Sequence, residues 1–165
     1  LLGRVRDPQF RDFAESWQWG MAGIVLSGRS GLGKTSAAGA LFLRLLAGQD
    51  RRWQGLRWLS AVRFVRARTE ARGVDSPEDV DPTALYERAT LLVIDDLGKE
   101  PDTQWAKEII HGLIDARYLR GESTITTTEL DGAQLLNRYG TATARRLYES
   151  KGRIGKVIEA QRRAA

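Results

Sequence analysis

Short apolar runs recur along the chain, each bounded by polar or glycine residues: Ala22 to Leu26, Leu56 to Leu59, Leu91 to Ile94, Ser123 to Thr127 and Lys156 to Ile158. Runs of that length between breakers predict five β-strands. Between them the apolar positions recur at helical spacing. This predicts helices over Lys34 to Ala47, Ser60 to Ala71, Thr83 to Arg88, Thr103 to Leu119 and Gly132 to Tyr139, the last continuing at Ala142 to Glu149. Alternating strands and helices call for an α/β fold, a three-layer α/β/α sandwich around a central parallel five-stranded sheet. Gly73 to Pro82 reads as a loop within one domain, with Pro77 and Pro82 marking a turn or helix start. No internal repeat is visible. A chain of 165 residues is one domain's worth, with a core expected at about 20–160 and residues 1–19 as an N-terminal flank. The first residue, Leu1, and the apolar stretch near the end fit a module excised from a longer chain.

Composition narrows the chemistry. There is no cysteine, which removes disulfides and thiolate metal sites. No apolar run approaches the roughly 18 residues of a membrane span, and no signal sequence opens the chain, so a soluble, cytoplasmic protein is expected. Net charge is +5, unevenly distributed. Arg44, Arg51, Arg52, Arg57, Arg63, Arg66, Arg68 and Arg72 form one basic block, Arg138 through Arg163 hold another, and Asp75 to Asp102 is acidic. Guanidinium groups bind phosphate in bidentate fashion and stack on bases. From charge alone two readings stay open, a nucleic-acid-binding surface and a solvated face.

The most specific feature is Gly28-Arg29-Ser30-Gly31-Leu32-Gly33-Lys34-Thr35, which fits the phosphate-loop pattern GxxxxGK[ST] at every fixed position. It follows the apolar run Ile24-Val25-Leu26 directly and opens the alanine-rich helix that begins with Ser36, the strand–loop–helix context the mechanism requires. Backbone N–H groups from Gly28 to Ser36 would wrap the phosphates of ATP, assisted by the partial positive charge of the helix N-terminus. Lys34 would reach the outer phosphates, and Thr35 would place its hydroxyl on Mg²⁺. The second half of such a site is an acidic group at the end of another strand. Leu91-Leu92-Val93-Ile94-Asp95-Asp96 supplies it, with Asp95 as the magnesium residue and Asp96 as the carboxylate that polarises the attacking water. A small-molecule kinase would need an Arg-rich lid, whereas the Gly73 to Pro82 loop is acidic.

The stretch Leu92-Val-Ile-Asp-Asp-Leu-Gly-Lys-Glu100, followed by Trp105 and then by Leu113-Ile-Asp115-Ala-Arg117-Tyr118, resembles the DnaC/IstB family of AAA+ ATPases, which are helicase loaders and transposition helpers. The resemblance runs from about Gly20 to Glu149 and implies a P-loop NTPase fold of the AAA+ type without a separate helical lid. It implies DNA, a replicative helicase or a transposase, and further copies of the chain as partners. In that family a polar strand end senses the γ-phosphate. Ile125-Thr-Thr-Thr-Glu129-Leu130 fills the place here, with Glu129 where the family usually has asparagine, so that Thr127 or Thr128 is the implied sensor, Thr128 first. Arg146, with Arg145 as second choice, corresponds to the arginine that one subunit inserts into its neighbour's ATP site. Arg63, Arg66 and Arg68 fall where related loaders line a channel for single-stranded DNA, and an amphipathic helix with Val62 and Val65 inward is the competing reading. Asp96 is shorter than the usual glutamate, which implies slow hydrolysis, and it leaves room for an alternative: a switch that holds ATP to regulate a protein partner and barely hydrolyses it. Trp17 and Trp19 lie near the expected adenine, where they would stack on the base or pack an N-terminal helix. Trp53, Trp58 and Trp105 are assigned to core or interface, and His111 to a structural role.

Overall fold

The computed structural model describes residues 1–48, 50–71, 83–150 and 153–160. In chain order the elements are α1 (Pro8–Ser16), β1 (Ile24–Ser27), α2 (Lys34–Ala47), β2 (Leu56–Ser60), α3 (Ala61–Glu70), α4 (Thr83–Glu87) and β3 (Leu91–Leu97). They continue with α5 (Gln104–Arg120), β4 (Ser123–Thr128), α6 (Gly132–Arg146), β5 (Glu149–Ser150), β6 (Arg153–Ile154) and β7 (Lys156–Glu159). The main sheet has five strands in the order β2-β3-β4-β1-β7, and every pairing in it is parallel. All five predicted strands are present, four within one or two residues of the expected limits and β3 three residues longer, to Leu97. The predicted Gly73–Pro82 loop lies outside the described residues.

Parallel sheets require cover on both faces, and β3 shows how its sequence provides for it. Its side chains alternate: Leu91 and Val93 join one core with α1 and α2, while Leu92 and Ile94 join a second core with α3, α5 and α6. Strand β4 is buried along its whole length although its sequence is Ser-Thr-Ile-Thr-Thr-Thr. A buried hydroxyl needs a hydrogen-bond partner, and four of the five in β4 have one. The exception is Thr126, whose Oγ1 has none among the described residues.

Two findings depart from the sequence reading. Residues 1–19 are not a flank, because Val5, Phe10, Phe13, Ala14 and Trp17 all belong to the first core. Asp7 starts α1 by accepting the N–H groups of Gln9 and Phe10, with Pro8 at the first helical position. Second, a small antiparallel ribbon, β5–β6, precedes β7; its two-residue strands are too short to leave a periodic signal. The break predicted between the two helical stretches is present: α6 is kinked at Gly140, which stands at φ +79°, and it ends at Arg146, short of the expected Glu149. In α3 the residues that turn inward are Ala61, Phe64 and Val65, while Val62 is only half-buried. Trp17 is buried and donates its ring N–H to Ala22 O at 3.2 Å, with Trp19 packed edge-on against it. Both therefore pack the N-terminal helix. Trp58 meets Phe42 edge-to-face, and Trp105 bonds Thr69 of α3 at 3.3 Å. His111 ties α5 to α6 through Thr143 Oγ1 at 2.6 Å.

Candidate nucleotide site

The loop between β1 and α2 turns on glycines. Gly33 stands at φ +95° at the N-cap of α2, a conformation that L side chains rarely adopt. A Cβ there would also lie 2.6 Å from Val5 Cα and 2.8 Å from Arg4 O. The chain before α1 is that close because the N–H groups of Arg6 and Asp7 both donate to Leu32 O, at 3.1 and 3.3 Å. It forms an outer brace for the loop and places Arg4 and Arg6 on the wall of the cavity that the loop encloses. Nothing in their sequence neighbourhood signalled this, since the contact spans an unpatterned segment.

The cavity measures about 480 Å³, within the range of small-molecule sites. Ser30, Gly31, Gly33, Lys34, Thr35 and Ser36 line it from the loop and the start of α2, and Asp96, Lys99 and Glu129 from the ends of β3 and β4. Gly28, Arg29, Leu32 and Asp95 are not on its lining. Gly28 and Arg29 contribute carbonyls that accept Lys34 Nζ at 2.6 and 2.8 Å, and Leu32 packs against the first core. Lys34 is buried, and that burial pulls its ammonium below the usual lysine value, while the carboxylates of Glu129, Asp96 and Asp95 act in the opposite sense.

Asp95 and Asp96 owe their orientation to a β-bulge. Ile94 pairs with Thr126 and Leu97 with Thr128, so two residues of β3 oppose Thr127 alone. Asp96 takes the bulge conformation at φ +58°, the one positive φ of a non-glycine among the described residues. Thr127 repairs the interrupted ladder: its hydroxyl accepts the Asp96 N–H at 3.0 Å and donates to Asp95 Oδ1 at 2.6 Å. The same Asp95 oxygen accepts the Thr35 hydroxyl at 2.8 Å, which joins the two halves of the site. Lys99 Nζ sits 2.9 Å from Asp96 Oδ1 and 3.1 Å from Glu129 Oε1, and those two bonds raise its pKa above the usual lysine value.

The expectation for Thr128 needs correction. Its side chain is fully buried, donates to Leu97 O at 2.7 Å and accepts the Leu130 N–H at 3.0 Å, so its hydroxyl pins the strand end and does not reach the cavity. Arg146 lies away from its own chain's cavity, bonded to Asp115 and stacked on the Tyr118 ring with its guanidinium carbon 5.2 Å from the centroid. Arg145 pairs with Glu149 one helical turn on. Arg117, between Asp115 and Tyr118 in the sequence, is 1% exposed and braces the sheet. It donates to Tyr86 O, Ala89 O and Ser123 O and to Thr124 Oγ1, at 2.5–2.9 Å. Burial lowers its pKa to about 10. On α3, Arg63 and Arg66 are exposed and Arg68 is half-buried.

A glycine loop leading from the first strand of a parallel sheet into a helix, opposite a strand that ends in two aspartates, defines a P-loop NTPase of the α/β/α class. Within that class the chain belongs to the family of IstB-like ATP binding proteins, whose model matches residues 11–144. No curated protein sequence matches the chain significantly. Among solved structures it is similar to the DnaC helicase loader, with a TM-score of 0.70 at 22% identity over 93% of this chain and 86% of that one. It is similar to DnaI, with a TM-score of 0.71 at 17% identity over 93% of this chain and 81% of that one. The AMPPCP-bound DnaA from Aquifex aeolicus gives a TM-score of 0.66 at 19% identity over 93% of this chain, which spans 44% of that protein. At these identities the likeness concerns the fold alone.

Proposed function

We propose that the chain is an ATP-hydrolysing helper of the DnaC/IstB kind, which assembles side by side through its nucleotide sites on DNA and serves a replicative helicase or a transposase in the cytoplasm. The observation that carries this reading is the chain of bonds Thr35–Asp95–Thr127–Asp96, which fixes the Asp95 carboxylate and the Asp96 backbone relative to the phosphate loop. Family membership supports the nucleotide as ATP. The donor set fits Mg²⁺: the Thr35 hydroxyl and the Asp95 carboxylate converge at 2.8 Å, and hard oxygen donors are what that ion prefers. Among the described residues no cluster of three or more His, Cys, Asp or Glu could cage a metal, which suits an ion that completes its shell with phosphate and water. When bound, the ion neutralises charge on the phosphate oxygens.

The roles of the side chains follow from their positions. Lys34 exchanges the Gly28 and Arg29 carbonyls for phosphate oxygens, which are stronger acceptors for an ammonium. Asp96 orients the attacking water and takes up its proton. Arg146 acts in a neighbouring subunit, where an arginine supplied in trans stabilises the phosphoryl-transfer transition state. Arg63 and Arg66, a helical turn apart on α3, contact the phosphates of DNA with Arg68 beside them, which makes binding steeply salt-dependent. A DnaA structure bound to AMPPCP and single-stranded DNA shares the fold, with a TM-score of 0.65 at 18% identity. One observation favours the switch as a second reading: Lys99 neutralises Asp96, the residue needed for hydrolysis. No helix among the described residues is long and apolar enough to cross a membrane.

Steady-state ATP turnover, measured across a range of protein concentrations with and without single-stranded DNA, separates the two readings. The helper reading expects turnover to rise faster than protein concentration, to increase with DNA, and to be lost in both Lys34→Ala and Arg146→Ala. Tight ATP binding without turnover under all of these conditions overturns it in favour of the switch.

A further inference from the structure

Glu129 raises a physical difficulty for an ATP site. It lines the same cavity as Asp96, and an uncompensated carboxylate beside a triphosphate repels it. Lys99 bridges both carboxylates and offsets one of the two charges. A lysine that is 45% exposed would ordinarily sample many rotamers to little effect, but the backbone that carries this one is fixed on both sides. Asp96 and Gly98 both have positive φ, at +58° and +98°, and the Lys99 N–H bonds Asp96 O at 3.2 Å, which closes a tight turn. A Cβ on Gly98 would lie 2.7 Å from the side chain of Leu130, the residue after Glu129, so the turn packs directly on the end of β4. On its other side, the buried Glu100 carboxylate accepts the Gly98 N–H at 2.9 Å and is held by Arg138 and Tyr139 of α6.

Lys34, from the phosphate loop, and Lys99, from the turn after β3, thus line one cavity. The charged side chains on the lining, Arg4, Arg6, Lys34 and Lys99 against Asp96 and Glu129, leave it net positive, which suits an anion. Lys99 has three N–H donors and uses two on Asp96 and Glu129, which leaves one for a phosphate oxygen.

We propose that Lys99 contacts the terminal phosphate and is the residue by which this site distinguishes a nucleoside triphosphate from a diphosphate, with Glu129 as its positioning residue. The proposal rests on the ATP-site reading above and accounts for a carboxylate at 129: Glu129 holds the Lys99 ammonium at the cavity wall, where its remaining N–H can meet the phosphate. Engagement of Lys99 by phosphate also loosens its hold on Asp96, which links nucleotide recognition to release of the carboxylate that hydrolysis requires.

The test is equilibrium binding of AMPPCP and of ADP, each with Mg²⁺, to the wild type and to Lys99→Met, Lys99→Arg, Glu129→Ala and the Lys99→Met/Glu129→Ala pair. Loss of one charge-assisted contact should weaken AMPPCP binding about tenfold or more in Lys99→Met. ADP binding should change less than about twofold in the same variant, which doubles as the control for folding. Lys99→Arg should restore most of the preference. Glu129→Ala should lower the triphosphate preference in the wild-type background and not in the Lys99→Met background, because a positioning residue acts only through the group it holds. An unchanged ratio of the two affinities in Lys99→Met, or tighter AMPPCP binding, overturns the proposal and leaves Lys99 as a latch on Asp96. A wild type that binds both nucleotides equally also overturns it while the ATP site stands, whereas a wild type that binds neither refutes the ATP-site reading itself.

Discussion

Three consecutive threonines in β4 make opposite predictions from the same substitution. Thr127→Val removes a hydroxyl that accepts the Asp96 N–H and donates to Asp95. The bulge then leaves the Asp96 N–H without its partner, and Asp95 keeps only Thr35 as a donor. A buried polar group left unpaired costs about 1–3 kcal/mol, and a bond to a charged group contributes about 1.5–3 kcal/mol, so a net loss of about 2–4 kcal/mol follows once the gain from the new methyl is set against them. Thr126→Val breaks no bond, since Thr126 Oγ1 has no partner among the described residues, and it replaces a buried unpaired hydroxyl by a methyl of nearly the same shape. That change should stabilise by about 1 kcal/mol. Thr128→Val, which cuts the bonds to Leu97 O and the Leu130 N–H, should fall between them, with a loss of about 1–2 kcal/mol. Urea unfolding of the nucleotide-free protein gives all three values from shifts in midpoint at constant slope. ATP binding and turnover on the same samples separate function from folding: Thr127→Val should still bind ATP yet lose turnover by more than about tenfold, because it frees Asp96 from its bulge conformation. If Thr126→Val destabilises as much as Thr127→Val, the assignment of hydroxyl partners along β4 is wrong, and so is the account of how Asp95 and Asp96 are aimed.

Two further substitutions test the framework around the site. Arg117→Met should lower stability by about 3 kcal/mol or more in the same unfolding assay, because it strands the carbonyls of Tyr86, Ala89 and Ser123 in the interior; a near-neutral result would mean that those groups find water. Gly33→Ala should cost about 2 kcal/mol or more and abolish nucleotide binding, since its Cβ meets the backbone of Val5 and Arg4, whereas Gly31→Ala, with φ +81° but nothing within 4 Å, should show only the backbone strain of about 1–2 kcal/mol. Equal effects at both positions would refute the role of the N-terminal brace.

The sequence by itself determined the strands, the α/β class, the phosphate loop and the positions of Asp95 and Asp96. The reason is that each is written in residues adjacent along the chain. The loop from Gly28 to Thr35 carries its geometry in its own glycines, and a run such as Leu91 to Ile94 announces a strand buried on both faces. Even the resemblance to the DnaC/IstB family rested on contiguous stretches. Tertiary structure alone decided what happens between segments. Thr127 and Thr128 are indistinguishable as neighbours in a threonine run; the bulge in β3 brings the first to the two aspartates and turns the second to the Leu97 carbonyl, and a one-residue slip in register would exchange them. The brace from Val5 to Asp7, the bonds of Arg117 to Tyr86 and Ala89 and the meeting of Lys99 with Glu129 join residues about 25–31 positions apart, and no local pattern encodes such distances. The order in which strands pair sets them, and that order is fixed only when both faces of the sheet find their helices.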